Sequence, residues 1–270
     1  MKFTVLGADG FIGSALVRHL QAQGHECQTP NRHELPHGIP NDPGHMIYAI
    51  GLTADYRYKP HETVTAHVCL LNSILQQCQF DSFLYISSTR IYQYMDSTRE
   101  DAPVQVNPSR AADVYNISKI MGESICHACN KENVRVVRLS NVVGVDIRSE
   151  NFLGSIIKSA LAGRVELATS MDSSKDYVYI SDVIRFIELI VLQGKHTVYN
   201  VASGINTSNA TIVNYLAQKT GCKLLNKEQS IKLIFSPIDI SRLANEFSVQ
   251  PADLMSYIDD VYAGYKDALC

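Results

Sequence analysis

"TVLGADGFIGSAL", residues 4–16, sets glycines at 7, 10 and 13 between a short apolar run and a helix-like one. Each glycine has its own physical task in such a turn. The first permits a tight reversal, the second lets the backbone approach an anion closely, and the third lets the following helix pack on the strand. Glycines mark many turns, so the spacing alone is weak. Its place after the first strand and at the opening of a helix makes Gly7, Gly10, Phe11, Ile12 and Gly13 candidate contacts for the pyrophosphate of a dinucleotide.

Outward from this turn, β-branched apolar runs alternate with longer helical patterns. "FTVL" (3–6) precedes a helix from about Ile12 to Gln23, and a second strand falls near Glu26 to Thr29. "HMIYAI" (45–50) precedes a helix from about Thr63 to Cys78. "FLYIS" (83–87) precedes one from about Tyr115 to Cys129, and "VRVVRL" (134–139) follows. This alternation predicts an α/β chain, a Rossmann-like doubly wound parallel sheet whose ligands lie beyond the carboxyl ends of the strands.

Between the second strand and "HMIYAI" lies only "PNRHELPHGIPNDPG" (30–44), too short and too rich in proline and glycine for another strand and crossover helix. One βα unit is therefore expected to be trimmed to a loop near residues 30–45. Beyond Gly144 the chain predicts a helix in "NFLGSIIKSALAG", a strand and helix in "DYVYISDVIRFIELIVLQG" and a strand in "TVYNVAS". The tail predicts a helix from Asn209, a short strand near Lys232 to Phe235 and helices over 240–247 and 251–265. The expected division is a dinucleotide-binding domain over 1–165, completed by parts of 176–202. A smaller C-terminal substrate lobe is expected mainly over 166–270, interleaved with it.

Bulk properties exclude several classes. With 270 residues, 46% hydrophobic and 19% charged, the chain can bury a sizeable core and is not disordered. A formal net charge of −3 offers no field to gather nucleic acid or anionic membrane, so a small-molecule ligand is expected. The first ten residues lack the apolar segment of a signal peptide, and no window approaches a membrane span. Seven scattered cysteines read as reduced thiols of a cytoplasmic protein. The single C-x-x-C pair, Cys126 and Cys129, lies on an expected helix without a second pair, so no metal site is expected.

The segment after the second strand reads "CQTPNRHE" (27–34). A carboxylate there would bond the ribose 2'-hydroxyl of NAD, whereas Asn31 and Arg32 occupy the place here, and Arg32 can pair a 2'-phosphate. NADP is therefore expected in preference to NAD, with Glu34 as the residue that argues the other way.

Tyr115 and Lys119 in "YNISKIMGE" stand four apart, one turn of helix on a common face. Acid–base work by a tyrosine at neutral pH needs its phenolate favoured by about 3 pH units, and a nearby ammonium is a physical means of doing so. In "FLYISSTRIYQ" (83–93), Ser87, Ser88 and Thr89 bring hydroxyls to the carboxyl end of a strand, where one can donate to a substrate oxygen.

Taken together, "GADGFIG", "YISSTRIY", "YNISK", "RLSNVVG", "DYVYISDV" and "YNVASG" resemble, in order and approximate spacing, the extended short-chain dehydrogenase/reductase family, in its group of NAD(P)-dependent nucleotide-sugar epimerases, dehydratases and reductases. The resemblance implies Ser88, Tyr115 and Lys119 as catalytic residues, with Lys119 also holding the nicotinamide ribose. It implies cofactor contacts at Ala49, Ile50, Gly51 and Ser87, and substrate contacts at Thr89, Asn141 and Lys175, the last near substrate phosphates. Arg138, in the same segment as Asn141, reads equally as structural or as near substrate, and Asp182 resembles the family's structural aspartate. A nucleotide-sugar substrate follows, and the helices over 63–78 and 115–129 suggest a homodimer.

The same resemblance implies hydride transfer at a sugar carbon, with Tyr115 moving the proton. Thr89 and Arg90 stand where the family's 4,6-dehydratases carry an Asp-Glu pair, which disfavours elimination of water. The expected reaction is reduction of a 4-keto nucleotide sugar, with a 4-epimerase as the alternative. A non-catalytic NADP-binding redox sensor is the alternative of another class.

Overall fold

The computed structural model describes residues 1–52, 54–148, 151–225 and 231–269. The opening stretch forms β1 (Lys2–Leu6), the glycine turn and α1 (Phe11–Ala22). Then come β2 (Glu26–Gln28), β3 (His45–Tyr48), α2 (Pro60–Val64), a π-helical turn (Thr65–Cys69) and α3 (Leu70–Gln77). β4 (Ser82–Ser88), α4 (Val114–Ala128), β5 (Val134–Leu139) and β6 (Asn141–Val143) follow. The remainder is α5 (Phe152–Leu161), β7 (Arg164–Glu166), β8 (Ser174–Tyr179), α6 (Ile180–Gln193), β9 (Val198–Val201), β10 (Asn206–Ser208), α7 (Asn209–Thr220), β11 (Lys223–Leu225), α8 (Ser241–Phe247) and α9 (Leu254–Leu269).

Six parallel strands form the main sheet in the order β2-β1-β3-β4-β5-β9. The chain leaves β1 toward β2 on one side and returns to β3 on the other, which makes the β1/β3 crevice the topological switch point. A parallel sheet must bury both faces, and the apolar runs of its strands allow this. One face packs Phe3, Val5, Leu84 and Val137 against Leu16 and Leu20 of α1 and Val183, Phe186 and Ile187 of α6. The other face packs Tyr48, Phe83, Tyr85 and Val136 against Leu71, Ile74 and Cys126. Residues 29–44 contain one 3-10 turn, Arg32–Glu34, before β3.

A separate cluster of Leu153, Ile157, Tyr177, Ile212, Leu216, Tyr257 and Val261 is the core of the C-terminal lobe, where α5, α7 and α9 cover the short strands. Tyr179 and Tyr257 stack there at 4.4 Å. Asp182, in the first turn of α6, ties the lobe down by accepting the Ala252 N–H at 2.8 Å.

Two sequence expectations need correction. The helix expected from about Thr63 starts at Pro60, where a proline at the first position has its φ already set, and a π turn interrupts it. The strand expected near Lys232 to Phe235 is absent. Ile231 and Ile234 make only isolated bridges, to Thr169 and Ser174. Their side chains are 69% and 62% exposed, so no buried face rewards a regular ladder. Among the described residues, no helix is long and apolar enough to cross a membrane.

Candidate active site

The glycine turn is built as its spacing demands. Gly7 has φ +89°, and a Cβ there would fall 2.9 Å from the Ala49 carbonyl. A Cβ at Gly13 would fall 2.1 Å from the Gly7 oxygen, so helix and turn touch backbone to backbone. At Gly10 a Cβ would meet within 4 Å only the Gly7 oxygen, so the outer side of the turn is clear of protein. Gly10 caps α1 without a side-chain hydrogen bond, and the first turn holds no acidic residue. The N–H groups of the helix start and its positive dipole end therefore suit a pyrophosphate.

From this turn a continuous line of residues runs along the strand ends. Ala49, past β3, donates its N–H to the Leu6 carbonyl at 2.8 Å and abuts Gly7. Two residues on, a Cβ at Gly51 would come within 3.0 Å of His67 Nε2 and 3.5 Å of Lys119 Nζ. Lys119, 5% exposed on α4, donates to the Ile86 carbonyl at 2.8 Å. One turn earlier on α4 stands Tyr115, near enough to Ser88 at the end of β4 for that side chain to lower its pKa. The structure thus brings Gly7, Gly51, Lys119, Tyr115 and Ser88 into one line of neighbours.

Burial sets the proton affinities here. It raises the Tyr115 phenol above its ordinary value near 10, against the nearby Ser88 side chain and the Arg90 charge, which lower it. Burial also pushes the Lys119 amine down to about 7, opposed by Glu123. The Arg90 charge favours the phenolate, while the Lys119 Nζ, one helical turn from Tyr115, donates to the Ile86 carbonyl. Arg90 lies over the Tyr115 ring, 5.6 Å from its centroid, and over Tyr56 at 5.0 Å.

His67, on the π turn, is missed by sequence reading. Its Nε2 accepts the Leu52 N–H at 3.2 Å, which leaves the proton on Nδ1, 2.8 Å from Ser118 Oγ. Ser118 in turn donates to the Tyr115 carbonyl. Burial, with the nearby Lys119, holds His67 neutral, its pKa lowered to about 2. π turns collect at functional sites, but the sequence carries no periodic signal for one.

Other expected residues are placed differently. Ser87 neighbours Ser88 on a strand, so the two point to opposite faces. The Ser87 hydroxyl donates to Glu123 at 2.5 Å, inside a buried network in which Glu123 also pairs with Arg138, and Arg138 donates to Tyr92. The Ser87 side chain is therefore engaged in the wall behind the site. Asn141 donates to the Asp176 carbonyl at 2.7 Å, joining β6 to β8. Lys175 lies over the Phe152 ring at 4.7 Å, and Thr89 is buried. Asn31 accepts the His33 N–H as a cap, and Arg32 is exposed. Cys126 is buried on α4, and Cys129 caps that helix. Among the described residues, no group of three His, Cys, Asp or Glu side chains could hold a metal.

Residues 3–202 match the model of the NAD dependent epimerase/dehydratase family. The chain belongs to this family. It is 24% identical over 242 residues to UDP-glucuronic acid decarboxylase 1 of Xenopus tropicalis, a match taking in 77% of this chain and 56% of the relative. The chain thus spans little more than half the length of that curated relative. The fold superposes on MoeE5 in complex with UDP-glucose and NAD, with a TM-score of 0.86, 19% identity and full coverage of both chains. It also superposes on RMD from Pseudomonas aeruginosa complexed with NADPH, with a TM-score of 0.81, 20% identity and 100% coverage of both chains.

The cofactor expectation is corrected at this point. NAD is the named cofactor of six similar solved structures and NADPH that of one, which favours NAD over NADP. The physical reason lies in Arg32. An exposed arginine on a loop tolerates a ribose hydroxyl as readily as a phosphate, so its presence does not select the 2'-phosphate.

Proposed function

We propose that this protein is an NAD-dependent oxidoreductase of nucleotide sugars that oxidises the hydroxyl at sugar carbon 4 and returns the hydride within one catalytic cycle, as a 4-epimerase does. The observation that carries this reading is the line of neighbours at the strand ends: Gly7 against Ala49, Gly51 against Lys119, and Tyr115 one turn before Lys119 on α4, near Ser88 at the carboxyl end of β4. Bound NAD supplies the hydride acceptor. The N–H groups at the start of α1 hold its pyrophosphate, and Lys119 and Gly51 border its reactive end.

In this reading Ser88 hydrogen-bonds the sugar oxygen and Tyr115 accepts its proton, with Arg90 favouring the phenolate. Thr89 and Arg90 supply no carboxylate to remove water, so elimination is not part of the cycle. A one-way reductase must exchange its cofactor at every turnover. With NAD, an oxidation followed by reduction on the other face needs no cofactor exchange.

Incubation of the protein and NAD with UDP-glucose or UDP-glucuronic acid, followed by NMR of the sugar, is expected to show conversion at carbon 4. Tyr115→Phe is expected to lower turnover by about 10²- to 10⁴-fold while leaving NAD affinity unchanged. Wild-type turnover in that variant would overturn the assignment. Steady consumption of NADH by a keto sugar, without epimer, would turn the reading to a reductase.

A further inference from the structure

Arg90 stands in the 3-10 turn that follows β4, two residues past Ser88, and its backbone N–H donates to Ser88 Oγ at 3.2 Å. Its guanidinium lies against the rings of both Tyr56 and Tyr115, which contact each other at 5.1 Å. Its Nε is buried without a hydrogen-bond partner, and no acidic side chain among the described residues pairs with it. Two more cations stand near. Arg57 lies over the Tyr56 ring, 5.1 Å from its centroid, and Lys175 is half-buried against Phe152. Arg57, Arg90 and Lys175 repel one another, which adds to the effect of burial in lowering the Lys175 pKa. Neither Arg57 nor Lys175 has an acidic partner among the described residues.

A partly buried guanidinium with an unsatisfied N–H is costly unless an anion meets it. The two tyrosine faces offset some of that cost, but a ring face does not satisfy the N–H. Guanidinium is planar and forked, and it suits a carboxylate through two parallel hydrogen bonds.

We propose that Arg90 is a specificity residue that receives a carboxylate on the sugar ring itself, so that the substrate is a nucleotide-activated uronic acid. This rests on the functional reading above, because the position of the anion is counted from Tyr115. In a pyranose oxidised at carbon 4, the diphosphate-bearing carbon 1 lies across the ring. The exocyclic carbon 6, borne by carbon 5, lies beside the reacting centre. A cation over the Tyr115 ring and next to Ser88 stands near the positions that flank carbon 4; carbon 3 carries a neutral hydroxyl, so the anion it can receive there is a carboxylate at carbon 6, where a hexose carries a neutral hydroxyl.

The test is calorimetric binding of UDP-glucuronic acid and UDP-glucose to the full chain in the presence of NAD. The wild type is expected to favour the uronate by about 10- to 100-fold, the range of one charged hydrogen-bonding interaction. Arg90→Met is expected to lose the preference, binding UDP-glucuronic acid no more tightly than UDP-glucose, and Arg90→Lys to keep part of it. Equal wild-type affinity for the two sugars overturns the carboxylate assignment and leaves the nucleotide-sugar reading standing, as does a preference unchanged in Arg90→Met. If neither sugar binds, the functional reading falls and the inference falls with it. Should Arg90→Met bind neither sugar, the decision passes to the wild-type preference and the Arg90→Lys ratio, and a ratio in Arg90→Lys equal to wild type counts against the bidentate role.

Discussion

Replacing Lys119 by Met should change how stability depends on pH. Burial holds the folded amine at about 7, against 10.5 for the free side chain. Between those values the unfolded chain binds a proton that the folded chain does not, so stability rises with pH across this window. The penalty is complete below pH 7 and gone above the unfolded value. At about 1.4 kcal/mol per pH unit, the full cost is about 5 kcal/mol, and raising the pH from 7 to 9 recovers about 2 kcal/mol of it. Met fills a similar volume without a charge, and loses the hydrogen bond to Ile86, worth about 1 kcal/mol. Urea unfolding followed by circular dichroism measures the effect; the chain has no tryptophan to report by fluorescence. Lys119→Met is expected to be more stable than wild type at pH 7, with the difference smaller by about 2 kcal/mol at pH 9. The cysteines titrate alike in both proteins and cancel. Parallel pH dependence in the two proteins would refute the buried, partly deprotonated amine.

Two other substitutions probe the scaffold of the site. Gly13→Ala puts a Cβ against the Gly7 oxygen, where only backbone can yield. It is expected to weaken NAD binding at least about tenfold and to destabilise by about 1–3 kcal/mol, read by calorimetry and thermal unfolding; unchanged affinity would refute the close packing. Glu123→Gln leaves the Arg138 guanidinium, 7% exposed, without its countercharge. A loss of about 3–5 kcal/mol, roughly 10 °C in Tm, is expected, and a shift under about 3 °C would show that the network carries little.

Much of the site was legible because its chemistry follows local rules. Tyr115 and Lys119 share a helix face through the 3.6-residue period alone, and the glycine turn needs only its three small residues after a strand. The same local reading failed where a side chain's partner comes from a distant segment. Ser87 and Ser88 are indistinguishable as letters, yet strand alternation turns one to Glu123 and the other to Tyr115. Arg32 looked like a phosphate ligand because a loop arginine has the right charge, but charge without a fixed geometry does not choose between a phosphate and a hydroxyl.

The sequence by itself determined the parallel α/β layering, since strand-forming runs alternating with helical ones can bury their apolar faces in few other ways. It also determined the glycine turn and the Tyr115–Lys119 pair. Only the tertiary structure decided which charge acts on Tyr115. Tyr56, Arg90 and Lys175 come from three separate segments of the chain, and packing alone sets the guanidinium over the phenol while it buries the Lys119 amine against Ile86. Electrostatic influence depends on distance through the folded molecule and on burial, and neither quantity is written in the spacing of residues along the chain.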